Sequence, residues 1–169
     1  MARRVFFSFH YENDVNRAMI VRNSWVTQGK EAAGFIDKAE FEKVKLKGAK
    51  AIEDWIDSQL CDPPGTTVTV VLIGEETLSR HYVQYEIIKS LNKGNAIIGV
   101  HIHNVADMHT RLGSAKGNPH TVVGERKWTT HKEDIYFDDI AHSIHDYSND
   151  NGYANLGNWI EAAAKSKGK

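Results

Sequence analysis

Apolar and polar positions along this chain fall into two rhythms, and together they mark out a repeated order of strand then helix. Val5 to Phe9 (VFFSF) is apolar at nearly every position, as in a strand covered on both faces within a parallel sheet. HYENDV follows, with Asn13 and Asp14 placed as N-caps. From Val15 the spacing of Val15, Ala18, Met19, Arg22, Trp25 and Val26 predicts a helix that Gly29 stops. Phe35 and Ile36 read as a short second strand, and charged Asp37 to Lys47 as a long loop with room for a turn of helix. Ile52, Trp55, Ile56 and Leu60 restore the helical rhythm until Pro63, Pro64 and Gly65 end it. Thr66 to Ile73 (TTVTVVLI), rich in β-branched residues, is a third strand.

The stretch from Gly74 to Gly94 (GEETLSRHYVQYEIIKSLNKG) predicts a turn and one helix. Started near Ser79, that helix stacks Ser79, Tyr82, Glu86 and Ser90 in one column beside the apolar stripe of Val83, Ile87 and Leu91. Glu86 therefore sits on the border of a buried face, where a carboxylate is costly unless paired: it is either a satisfied boundary residue or a reactive group. Ala96 to Ile102 is a fourth strand. From His103 to Glu133 the rhythm dissolves and predicts an irregular insertion. Ile135 to Phe137 reads as a short edge strand and Asp139 to Tyr147 as a helix. Tyr153 to Lys165 reads as a terminal helix with Leu156, Trp159 and Ile160 inward, before a frayed basic tail.

Strands alternating with helices predict an α/β sandwich with a mainly parallel sheet, whose function gathers at the carboxyl ends of the strands. Those ends are His10 to Asn13, Asp37 onward, Gly74 to Ser79 and His103 onward. With no repeat and no linker, the 169 residues read as a single domain: a core over about 3–105, an insertion over about 103–133 and a helical C-terminal part over about 134–166.

Composition changes this picture little. Lys plus Arg number 21 and Asp plus Glu 22, so no polyanion or membrane surface is indicated as partner, and neither nucleic acid nor a membrane is expected. No stretch reaches the roughly 18 apolar residues of a membrane span. The run after Arg3 and Arg4 is too short for a signal peptide. A single cysteine, Cys61, suits a reducing compartment, and the reading is cytoplasmic.

The chemical motifs are sparse. His101 and His103 share a strand face, with His109 and His120 beyond, but no HExxH or cysteine spacing accompanies them and no metal is expected. Gly113 to Gly117 follows no strand and lacks the lysine ending of a phosphate loop. No GxSxG elbow is present, and Cys61 stands at a helix end before two prolines, so an acyl-transfer triad has little support.

Three segments together form a pattern. VFFSFHYENDV at the first strand, GFIDKAEFEKV after the second and SRHYVQYEI after the third resemble the motifs of TIR-like domains, in the branch found in bacterial Thoeris anti-phage systems. The resemblance covers about residues 3 to 105 and is closest over the first strand and Ser79 to Ile87, where Ser79, Tyr82, Val83 and Glu86 fall in the family order. It implies a flavodoxin-like fold and an enzyme that cleaves NAD, as substrate rather than cofactor, at the nicotinamide–ribose bond. Carried over, Glu86 is similar to the catalytic glutamate, Phe9 and His10 to the strand end lining the nucleotide site, and Asp37 and Lys38 to the start of the loop after the second strand. Ser79 and Tyr82 would help position ribose or nicotinamide, and Phe9, Tyr11 and Tyr82 would supply aromatic walls.

One carboxylate suffices for this chemistry because nicotinamide already leaves from a cationic nitrogen and needs no acid. Attack by water gives ADP-ribose. Attack by a group of the same molecule gives a cyclic isomer, which the resemblance implies, as a diffusible signal for a separate effector. Self-association is a further expectation. The alternative is a non-catalytic TIR-like or receiver-like interaction module with a structural Glu86. Against a receiver, the first strand ends in Phe9 and His10 and the third in Ile73 and Gly74, without the acidic residues that phosphotransfer needs. HYENDV is likewise not the phosphate loop of a flavin carrier.

Overall fold

A computed structural model describes residues 3–30, 32–33, 38–62 and 65–169, with 32–33 and 38–41 described by backbone alone. Five parallel strands form one sheet: β1 (Val5–Phe9), β2 (Ala32–Ala33), β3 (Val68–Ile73), β4 (Ala96–His101) and, at the far edge, β7 (Ser143–Asp146), in the order β2-β1-β3-β4-β7. Between β4 and β7 the chain forms an antiparallel hairpin of β5 (Val122–Lys127) and β6 (Lys132–Tyr136) and a short helix α5 (Phe137–Ile140).

Strand alternation divides the core between the two faces of the sheet. Val5, Phe7 and Phe9 pack with Ala18, Val21 and Trp25 of α1 (Tyr11–Val26) and with Leu156, Ile160, Ala163 and Ala164 of α6 (Gly152–Ser166). On the other face Phe6 meets Ile52, Ile56 and Leu60 of α3 (Ala49–Cys61). Val71, Ile73 and Ile97 meet Val83 and Ile87 of α4 (His81–Lys93), with Val123, Ile135 and Phe137 beyond. Gly99 is required on that face, because a Cβ there would come within 2.8 Å of the Phe137 ring.

The mainly parallel α/β architecture stands as the sequence predicts, but several elements differ. Residues 38–46, within the predicted loop, form helix α2 (Lys38–Leu46), in which the described charged side chains, Glu42, Lys43 and Lys45, are exposed. The second strand is Ala32–Ala33; Phe35 and Ile36 lie outside the described residues. Helix α1 begins at Tyr11, so Asn13 and Asp14 stand inside it and do not cap it.

The predicted helix over Asp139 to Tyr147 is instead α5 followed by β7. Backbone bonds from His142 N to Ile97 O (2.7 Å) and from Tyr147 N to His101 O (3.0 Å) flank its pairing with β4. The predicted edge strand at Ile135 belongs to the hairpin, and only 103–121 of the predicted irregular stretch lacks a helix or strand before it.

Candidate active site

The carboxyl end of β1, the first turn of α1, the last turn of α2, the outer half of α3 and the start of α4 enclose a cavity of about 470 Å³. Glu86 lines it from the buried face of α4, and Phe9, His10 and Tyr11 line it from the β1–α1 junction. Phe9 and Tyr11 pack ring to ring, with centroids 6.1 Å apart. Ser79 and Tyr82 complete the predicted set that reaches the cavity. Of the remaining predicted residues, Asp37 lies outside the described residues, and so does the side chain of Lys38.

The expected helical column does not form as drawn. Ser79 ends a 3₁₀ turn (Thr77–Ser79) before α4 starts at His81, and its hydroxyl donates to the Glu76 carbonyl at 2.8 Å. Ser90 points away to accept a bond from the Thr69 hydroxyl at 2.7 Å, joining α4 to β3. What remains of the column is Tyr82 and Glu86.

Strand parity explains the partner of Glu86. Ser8 lies between Phe7 and Phe9 with its side chain on the α3/α4 face, and its hydroxyl donates a short hydrogen bond to Glu86 Oε2. Glu86 is 9% exposed, and burial pushes its carboxyl up from 4.5 to about 8, while the Ser8 bond pulls weakly the other way. A carboxyl held there is largely protonated at neutral pH. A cation beside it would offset the desolvation and restore the carboxylate.

His10 is 6% exposed and neither ring nitrogen has a hydrogen-bond partner among the described residues. Burial first, and then the Arg80 guanidinium, hold its imidazole below the ordinary histidine range. The position of the α4 start is set by a buried group: Asp14 pairs with Arg17 at 3.5 Å, and the Thr77 hydroxyl bonds to Asp14 at 3.3 Å and accepts the Gly74 N–H at 2.8 Å. Arg17 also donates to the carbonyls of Val105 and Leu112, tying the stretch after β4 to the same corner.

Sequence reasoning missed several lining residues. Trp55 read as a core position of its helix, and Lys45, Arg80 and Glu12 were not singled out as site residues, although all four border the cavity. Ser8 was the detectable one: a lone hydroxyl inside a fully buried strand requires a partner. The histidines are apart from this site. His101 is buried with its Nδ1 unpartnered, and His103 Nε2 lies 3.8 Å from Asp146. Among the described residues no group of three or more His, Cys, Asp or Glu side chains is placed to hold a metal, and no helix is long and apolar enough to cross a membrane.

Residues 6–107 match the family model described as Thoeris protein ThsB, TIR-like domain. A relative from Bacillus cereus (strain MSX-D12), named "Putative cyclic ADP-D-ribose synthase ThsB1", is 33% identical over an alignment of 194 residues covering 95% of this chain and 100% of the relative. Strand order, cavity and both comparisons agree, and the chain belongs to the family of the Thoeris protein ThsB, TIR-like domain.

Proposed function

We propose that this protein cleaves NAD at the nicotinamide–ribose bond and closes the ADP-ribose moiety into a cyclic nucleotide that signals to a separate effector in anti-phage defence. The observation that carries the reading is Glu86: a carboxyl desolvated at the wall of a cavity, bonded to Ser8 and bordered by aromatic side chains. The printed name of the Bacillus cereus relative supports the same product class.

In this reading the cationic nicotinamide ring enters beside Glu86 and makes ionisation favourable, so the carboxylate forms where and when it is needed. The C1–N bond then breaks with its electron pair going to nicotinamide, which leaves neutral. Glu86 stabilises the positive charge developing on the ribose, and no general acid is required. A hydroxyl of the same molecule attacks C1 and loses its proton to solvent, or an adenine ring nitrogen attacks with its lone pair and the positive charge the adenine gains is relieved by loss of an amino proton to solvent. Phe9, Tyr11, Tyr82 and Trp55 limit the water that would otherwise capture the cation. The reaction belongs to a cytoplasmic setting, where NAD is at hand.

Incubation of the purified protein with NAD, with nicotinamide release and product mass followed together, tests this. Glu86→Gln keeps the size and removes the charge, and release is expected to fall by about 100-fold or more. Release at the wild-type rate from a folded Glu86→Gln protein would overturn the assignment.

A further inference from the structure

Three charged side chains from separate elements meet at the rim of the cavity. Lys45 Nζ, in the last turn of α2, lies 3.1 Å from Glu12 Oε1 in the first turn of α1. Arg80, at the start of α4, places a guanidinium nitrogen 4.0 Å from Glu12 Oε2. All three border the cavity, and their side chains remain 48%, 56% and 45% exposed for Lys45, Glu12 and Arg80. Ion pairs this exposed stabilise a fold very little and must hold long side chains in one geometry, so fold stability does not account for the cluster. Its effect is to hold two cations, from elements distant in sequence, beside one cavity under a carboxylate that water would readily solvate.

Just inside the rim, His10 lines the same cavity, with both ring nitrogens buried away from its open space. The cations at the mouth and the aromatic side chains behind them thus fit one occupant, with negative charge at the mouth and ring systems behind.

We propose that Lys45 and Arg80 form the binding site for the pyrophosphate of a dinucleotide, and that Glu12 is a built-in anion that holds this site until the substrate displaces it. The inference rests on the NAD reading for the identity of the substrate. A pyrophosphate brings two negative charges where Glu12 brings one, and its oxygens can accept from both cations at once. Glu12 is then released to water at the small cost of a surface pair. The exchange favours ligands that carry a diphosphate over nucleosides and nucleoside monophosphates, which cannot meet both cations with a diphosphate.

The test is calorimetric titration of the full chain with ADP, alongside KM and kcat for NAD from nicotinamide release. Lys45→Ala and Arg80→Ala are each expected to weaken ADP binding about tenfold and to raise KM more than they lower kcat. Glu12→Gln is expected to do the opposite and tighten ADP about two- to fivefold, an effect absent when Lys45 and Arg80 are both alanine. Glu76→Gln removes a neighbouring carboxylate that bonds to Asn13 instead, and should leave ADP binding unchanged.

No ADP binding by the wild type, weaker binding in Glu12→Gln, or equal tightening in Glu76→Gln would each overturn the proposal. Nicotinamide release with an unaltered KM in Lys45→Ala and Arg80→Ala would overturn this subsite and leave the NAD reading standing. ADP binding that depends on both cations, without any nicotinamide release, would retain the anion site and remove NAD as its substrate.

Discussion

Glu86 is held in the folded protein at a cost that depends on pH. Its carboxyl sits at about 8 when folded and near 4.5 when free, so between these values the folded chain binds more protons than the unfolded chain. Stability from this residue is therefore intact below about pH 4.5, declines through the window and levels off above 8, a loss on the order of 5 kcal/mol. Glu86→Gln, which cannot ionise, is expected to melt higher than the wild type at pH 8 and about equally at pH 4.5. Thermal melts at both values check this, and an equal difference at the two would show that burial does not set the ionisation of Glu86. At this scale the sequence was informative about the carboxylate and silent about its environment: an awkward glutamate on a helix border is visible in the periodicity. Its neutrality comes from burial, against the pull of Ser8, 78 positions away, and only folding decides either.

The turn that launches α4 is as constrained as the residue it presents. Gly74 ends β3 directly against the Asp14 carboxylate, which leaves no room for a Cβ. Gly74→Ala is expected to destabilise by about 1–3 kcal/mol, because Asp14 must shift and loosen its bonds to Arg17 and Thr77. Denaturant titration reads the loss, and a midpoint unchanged from wild type would mean that the corner repacks freely. Elements were legible where burial was one-sided or complete, as in β1, β3, β4 and α3. They were not legible where solvent took most positions. Helix α2 shows no apolar stripe: of its described side chains, 42–46, only Val44 is partly covered. Strand β7 is half-buried at a sheet edge, with Ile144 as the apolar residue that its pattern offers, so its identity comes from pairing with β4 and not from its own residues.

Taken whole, the strand order β2-β1-β3-β4-β7 reverses direction between β1 and β3, and the cavity opens at the carboxyl side of that reversal, where open α/β sheets bind ligands. This placement was readable from the order of strands alone. The closing of the opposite face was not, since α6 joins β1 across nearly the full chain. Leu156, Ile160, Ala163 and Ala164 of α6 cover Val5, Phe7 and Phe9 together with α1, so a chain ended after residue 107 would leave that face only partly covered although it keeps Glu86 and Ser8. Such a chain is expected to lose cooperative unfolding, as judged by circular dichroism and tryptophan fluorescence. A sharp two-state melt would show that α6 and β7 are dispensable.

The docking of α6 also has a consequence in time. During synthesis Ser8 and Glu86 are both made before the hairpin, β7 and α6, while β1 still lacks one of its covers. A parallel strand has no local partner to settle on early, so the nascent segment waits for its last helix before its centre sets. The corner that joins Ser8 to Glu86 is therefore expected to set only after α6 has been made, so the order of synthesis fixes when this cavity takes its shape.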